Sequence, residues 1–298
     1  MFTLEFEQMP YLQAIPLPET LVNQKITFSV LRLDVIHSEI SGNKWFKLKN
    51  YLNNALLQNC QRIVTFGGPF SNHILATAAA CQAAKIPCLG IIRGEKINNY
   101  TLATAAEKGM ALHFVSREAY KNKRLLQQQL QQPNDYFINE GGYGHLGAQG
   151  AKDIHSFIPP TATHILAAVG TGTMVAGLLM ATEPNQTIIA IPVLKGADAI
   201  QQDIAALVND TDKMKQMVWK NEYHFGGYAK HPAALIQNMN EWWNLYQLPT
   251  DIVYTAKLIY ATRHLMEQQF FPPNSHVVAI HSGGLQGNTS LSKNILQF

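Results

Sequence analysis

Only three cysteines occur in the 298 residues, Cys60, Cys81 and Cys88, and none belongs to a Cys-x-x-Cys pair. An odd, scattered set excludes a disulfide framework and a cysteine-rich zinc site. Their small, apolar neighbours suit buried, reduced thiols in a cytoplasmic protein. Charge is scarce too: charged residues make up 14% of the chain, the net charge is +3 and no basic run appears. That balance argues against a nucleic-acid or anionic-membrane partner. The eleven histidines show no His-Glu-x-x-His or other ligand spacing, so no metal site is expected. The first residues carry Glu5 and Glu7 in place of a basic segment leading into an apolar core, so no secretory signal is expected. Long apolar runs are missing except for Ile165 to Thr182, 18 residues without a charge at the lower bound for a membrane span. Gly170, Gly172 and Gly177 interrupt it, so it reads as a buried strand, a tight loop and a buried helix of a soluble protein. A hydrophobic fraction of 47% is that of an ordinary globular chain.

What the sequence does have is an alternation. Short Val/Ile/Leu-rich runs at Arg62–Phe66, Cys88–Arg93, Leu112–Val115, Tyr136–Asn139, His164–Val169, Thr187–Val193 and His276–His281 read as strands covered on both faces. Helical patterns lie between them, at Ser71–Ala84, Leu102–Lys108, Arg117–Gln131, Val175–Ala181, Ala197–Val208 and Pro232–Tyr246. This order predicts an α/β fold of doubly wound, mainly parallel sheets. A Pro/Ser-containing stretch at Ser156–Pro160 marks a boundary between two sheet domains. Ligands in such folds bind where loops leave the carboxyl ends of strands, so chemistry is sought there.

Four Gly-Gly pairs, Gly67-Gly68, Gly141-Gly142, Gly226-Gly227 and Gly283-Gly284, fall in loops between these elements, and a Gly-x-Gly turn falls in another. The first runs Phe66-Gly67-Gly68-Pro69-Phe70-Ser71-Asn72-His73 and opens a helix, whose free N–H groups suit an anion; Ser71 and Asn72 serve equally as helix caps. Gly170-Thr171-Gly172-Thr173-Met174 follows the fifth run and leads into a helix, a phosphate cradle of backbone N–H groups and two hydroxyls. It is neither a Walker A loop nor a dinucleotide signature, since no Gly-Lys-Ser/Thr follows and no acidic residue ends the next strand. The last strand ends in His281-Ser282-Gly283-Gly284, where a hydroxyl could meet a ring nitrogen or glycine could simply reverse the chain. Tyr228, after Phe225-Gly226-Gly227, and Tyr254 are phenols for proton transfer or stacking, or core aromatics. Ahead of all these, Ser41-Gly42-Asn43-Lys44 places a lysine at the start of an amphipathic helix, where the positive end of the dipole disfavours a cation. A lysine that works as a neutral amine or a Schiff base is at home there. An amine, a phosphate cradle and ring-facing groups together fit pyridoxal phosphate.

In this order the motifs make a chain that resembles the 1-aminocyclopropane-1-carboxylate deaminase / D-cysteine desulfhydrase family of pyridoxal-phosphate enzymes, within the tryptophan synthase β superfamily (fold type II). The resemblance is carried by Ser41–Lys44 with Lys47-Leu48, Phe66–Gly68 with Ser71-Asn72, Gly141-Gly142 with Leu146–Ala148, Gly170–Leu178, Gly226–Tyr228, Val253–Thr255 with Lys257, and His281–Gly284. It implies a large cofactor-binding domain over 1–50 and 155–298, a small domain over 51–154, the site in the cleft between them, and a homodimer. It implies that Lys44 forms the Schiff base with pyridoxal 5'-phosphate, that Asn72 meets the phenolic oxygen and that Ser71 meets the substrate. Gly170, Thr171, Gly172, Thr173 and Met174 become the phosphate loop, Tyr228 and Tyr254 the active-site tyrosines, and Ser282 the hydroxyl near the pyridine nitrogen.

The departures set the expected reaction. Where the deaminases carry a glutamate after the second tyrosine, this chain has Thr255, a neutral contact for the ring nitrogen. A weaker electron sink disfavours opening a cyclopropane, so β-elimination from a small amino acid such as D-cysteine is expected, giving pyruvate, ammonia and sulfide. Thr173-Met174 stands where glycine then threonine is usual, and Glu140 and Tyr143 flank the glycine pair unusually. The alternatives are another fold type II reaction (deaminase, racemase, dehydratase or β-replacement synthase) or a catalytically silent cofactor-binding protein.

Overall fold

The computed structural model describes residues 2–298 and contains two sheets. The larger is built from β1 (Tyr11–Ala14), β2 (Thr27–Arg32), β7 (His164–Val169), β8 (Thr187–Pro192), β9 (Met217–Trp219) and β10 (His276–His281), in the order β1-β2-β10-β7-β8-β9. The smaller comprises β3 (Arg62–Gly67), β4 (Cys88–Arg93), β5 (Met110–Val115) and β6 (Asp135–Ile138), in the order β5-β4-β3-β6. Every pairing is parallel except β1 with β2, so the expected α/β class of two mainly parallel sheets is the observed one. β1, β2 and β9 are additions to the strands read from the sequence, and all three lie at or beside a sheet edge. The expected helix over 117–131 is broken at Asn122 into Arg117–Lys121 and Lys123–Leu130, with Asn122 capping the second piece.

Alternation along the strands distributes side chains to two cores. Phe28, Val30, Leu166, Ala168, Ile189, Ile191, Val277 and Ala279 face one side of the large sheet and pack under Leu235, Met239 and Trp242. Their neighbours Leu31, Ile165, Ala167, Ile188, Ala190, Val278 and Ile280 face the other side. Burial of both faces explains why these strands read as continuous apolar runs.

Five helices bear on the site: α1 (Asn43–Leu57), α2 (Asn72–Ala84), α3 (His145–Lys152), α4 (Thr173–Ala181) and α5 (Thr255–Glu267). The uncharged stretch from Ile165 resolves into β7, a three-residue turn and α4; among the described residues no helix is long and apolar enough to cross a membrane. α1 is set against the end of β10 by backbone alone. Gly42 has φ +60° and ψ −133°, and a Cβ there would overlap the carbonyl oxygen of Ser282. The same carbonyl accepts the Asn43 N–H at 3.2 Å. Gly283 lies equally close, for a Cβ on it would overlap Ser41 Oγ. Only glycine at position 42 lets the turn before Lys44 press against the turn after β10.

Gly42→Ala should therefore combine backbone strain of about 1–3 kcal/mol with a steric clash. Gly196 also has positive φ (+69°) but nothing lies within 4 Å of its Cβ position, so Gly196→Ala should cost about 1–2 kcal/mol. Urea midpoints of the two variants are expected to separate clearly, with Gly42→Ala the lower.

Candidate active site

The carboxyl ends of β3, β4, β5, β7 and β10 point into one cavity of about 1160 Å³. Lys44, Ser71, Asn72, Gly170, Thr171, Gly172, Met174, Tyr228, Tyr254 and Ser282 all line it, although they come from six separate stretches of chain. Two of the expected cofactor contacts do not reach it. Thr173 is fully buried with its hydroxyl 3.0 Å from that of Thr171. Thr255 is also fully buried: its hydroxyl donates to Asp251 Oδ2 at 2.8 Å and accepts the Asp251 N–H at 2.7 Å. At Thr255, where a hydroxyl beside the ring nitrogen is expected, a buried carboxylate holds the side chain one layer behind the wall.

Lys44 Nζ donates to Asn43 Oδ1 at 2.6 Å and lies 5.9 Å from the centre of the Tyr254 ring. Burial lowers its pKa to about 8, with Asp251 acting in the opposite sense. Asn43 Nδ2 in turn points at the Met174 sulfur at 3.3 Å, which ties the lysine's neighbour to the phosphate-type loop. One turn along the same helix, Lys47 is 6% exposed, and burial together with Lys44 pushes its pKa well below the ordinary lysine range. Residues three apart share a helix face, so two lysine side chains meet on one side of α1. The Gly141-Gly142 turn fits between Lys47 and the phosphate-type loop: a Cβ on Gly142 would stand 3.1 Å from Lys47 Cβ, and one on Gly141 2.6 Å from Thr171 Cγ2. Gly170 makes room for Tyr254, whose ring would lie 3.0 Å from a Cβ there, and burial raises the pKa of that phenol.

At the start of α2, Ser71 Oγ accepts the Ile74 N–H as a cap. Next to it, the single hydroxyl hydrogen of Thr65 goes to Ile138 O at 2.8 Å, so His73 Nε2–H is the donor to Thr65 Oγ1 at 2.8 Å. The ring is neutral, with its pKa lowered to about 3 by burial and by Lys44 and Lys47, and Nδ1 has no partner.

Behind the wall stand two buried ions that the sequence reading did not single out as functional. Asp251 is fully buried; Oδ1 accepts the N–H groups of Val253 and Tyr254 at 2.8 Å each, and Oδ2 accepts that of Thr255 at 2.9 Å. These bonds fix the turn that presents Tyr254 at the head of α5. Lys257 is fully buried and donates to three backbone carbonyls, Val193 at 3.2 Å, His224 at 2.9 Å and Gly227 at 2.6 Å. It thereby anchors the segment that ends in Tyr228, and burial lowers its pKa to about 8. A helical lysine six residues after a loop aspartate carries no local sequence signal of this kind; only its burial reveals it.

The family model for pyridoxal-phosphate dependent enzymes matches residues 29–283. The chain belongs to that family. Among its relatives, a candidate 1-aminocyclopropane-1-carboxylate deaminase of Thermotoga maritima is 27% identical over 306 residues, spanning 92% of this chain and 95% of the relative. A D-cysteine desulfhydrase of Yersinia pestis is 26% identical over 282 residues, 86% of each chain. The solved structure of an ACC deaminase homologue superposes with a TM-score of 0.77 at 19% identity, covering 96% of this chain and 91% of that one, and shows the shared fold. As a member of a pyridoxal-phosphate family the chain must offer an amine, an anion site and a contact for a ring nitrogen. The cavity residues fit. Lys44 is an amine of lowered pKa, Lys47 is a second buried amine of lowered pKa with no carboxylate against it, and Ser282 is a hydroxyl on the wall. Among the described residues no cluster of His, Cys, Asp and Glu could hold a metal ion.

Because only a neutral amine attacks an aldehyde, a lowered pKa moves reactivity to lower pH. In cofactor-free protein, the rate of pyridoxal phosphate capture, followed by absorbance, should rise through about pH 8 and then level off. An unperturbed lysine would keep gaining up to its ordinary 10.5.

Proposed function

We propose that this enzyme removes the β-substituent and the amino group from a small amino acid, as in conversion of D-cysteine to pyruvate, ammonia and sulfide. The observation that carries the reading is the company of Lys44: a serine, two tyrosines and a hydroxyl share its cavity, and no carboxylate of the Asp251 turn reaches the wall. Pyridoxal phosphate, when bound, supplies an aldehyde for amines and a conjugated ring that accepts the electron pair left at Cα.

Lys44 holds the cofactor and, once released, takes the Cα proton; a pKa of about 8 leaves a useful neutral fraction near neutral pH. Lys47 and the turn Gly170–Gly172, with the Thr171 hydroxyl and the first N–H groups of α4, hold the phosphate. Thr173 serves there by orienting Thr171. Asn72 contacts the cofactor's phenolic oxygen, while Ser71 and the N–H groups opening α2 receive the substrate carboxylate. Tyr228 and Tyr254 orient the reacting groups and relay protons. Ser282 meets the ring nitrogen as a neutral partner, and Thr255, held by Asp251, positions the Tyr254 turn instead of touching the ring. A neutral contact leaves the ring less electron-demanding than a carboxylate would, which suits loss of a good leaving group better than cyclopropane opening.

Purified holoenzyme should change its visible absorbance on addition of D-cysteine and release pyruvate, with 1-aminocyclopropane-1-carboxylate left intact. A product that keeps the β-substituent would overturn the reading. Borohydride reduction and peptide mapping should place the pyridoxyl label on Lys44, and Lys44→Ala should lose both label and turnover. Lys47→Gln should weaken cofactor affinity on the order of tenfold to a hundredfold, the range for a hydrogen bond to a charged group.

A further inference from the structure

The cavity is larger than a cofactor and a three-carbon amino acid require. About 1160 Å³ exceeds the roughly 300–1,000 Å³ of common small-ligand pockets. Its reactive end is formed by Lys44, Ser71, Asn72 and the Gly170–Gly172 turn; the other end is built by the small sheet. Arg93 closes β4 there, and Arg117 stands two residues beyond the end of β5.

These guanidinium groups have no carboxylate partner among the described residues, unlike Arg32 and Arg62, which pair with Asp34 and Asp135 at 2.6 Å each. Arg93 is nonetheless held in place. Its Cζ lies 5.5 Å from the centre of the buried Tyr120 ring, and Nη2 would stand 3.4 Å from a Cβ on Gly68, in the loop that leads to Ser71. Arg117 Nε lies 3.9 Å from the Cβ position of Gly94, the residue after Arg93, so both cations flank one turn. Arg93 lines the same cavity as Tyr228. The acidic groups on this wall are Glu95, exposed, and Glu140, whose carboxylate is taken by Lys123 at 2.6 Å. Lys121, the remaining cation, pairs with Glu118 at 2.7 Å.

Both side chains are exposed at the cavity's rim; unpaired guanidinium groups there are free to receive an anion, and their planar forks match carboxylate, sulfonate and phosphate oxygens. The substrate's own carboxylate is already provided for at the head of α2. We propose that Arg93 and Arg117 form a side-chain subsite for a second anion, so that the preferred substrates are amino acids whose β-substituent ends in a carboxylate, sulfonate or phosphate. The subsite deepens the β-elimination reading above and rests on it for the reaction, though binding can be measured without turnover.

Holoenzyme is titrated with D- and L-forms of cysteate, O-phosphoserine and aspartate, and with the neutral serine and asparagine, reading cofactor absorbance for binding with all of them and pyruvate for turnover with cysteate, O-phosphoserine and serine, since aspartate and asparagine carry no β-leaving group. At least one anionic member should bind about tenfold or more tightly than its neutral counterpart, and added salt should erode the advantage. Which of the three succeeds identifies the anion. Arg93→Gln with Arg117→Gln should abolish the advantage, and Arg93→Lys, which keeps the charge but loses the fork, should retain part of it and serves if the double variant does not fold. Equal affinity for charged and neutral members in the wild-type protein, or an advantage that survives loss of both arginines, overturns the subsite. Tight binding of an anionic amino acid with no pyruvate from any substrate keeps the subsite and removes the lyase reading; pyruvate from D-cysteine without charge preference does the reverse.

Discussion

Two lysines on one buried helix face are the constraint around which the structure is arranged. Lys44 and Lys47 sit a turn apart at the head of α1, where the helix dipole and the loss of water both oppose positive charge. No carboxylate touches either of them. The strain shows as lowered pKa values, and relief is open from the cavity that both side chains line. The surrounding glycines make that relief possible: Gly42 lets the turn before Lys44 rest on Ser282, and Gly141 and Gly142 bring the phosphate-type loop alongside Lys47.

The two sheets divide the labour at the cavity. Loops attached to the large sheet supply the Gly170–Gly172 turn, Tyr228, Tyr254 and Ser282, with α1 supplying the lysines. The small sheet and its loops supply Ser71, Asn72, Arg93 and Arg117. Both contributions issue from carboxyl ends of parallel strands, as expected when the strands run the same way and their loops gather at one edge.

Much of this arrangement is written in local sequence. Strands buried on both faces leave unbroken apolar runs, and loops that approach a ligand leave paired glycines, so β3 to β8 and β10 and ten of the cavity residues could be found without coordinates. Edge strands are harder. β1 is mostly exposed and β9 has three residues, and neither makes a run long enough to stand out. β2 ends in Arg32, a charge that is buried only because Asp34 binds it. Thr255 shows the limit of matching by position: its neighbour four residues back, Asp251, claims the hydroxyl, and no spacing rule reveals that this aspartate lies inside. Arg93 gave no signal at all, because a basic residue ending a strand is ordinary until its company is known.

Lys257 has a consequence for how such an enzyme diversifies. Its ammonium binds carbonyl oxygens alone, from Val193, His224 and Gly227, and no side chain of the segment it anchors. Every amino acid provides the same carbonyl, so the residues around Tyr228 are free to mutate while the clasp endures. Evolution can rewrite that rim of the cavity for a new substrate without first having to reinvent its foundation.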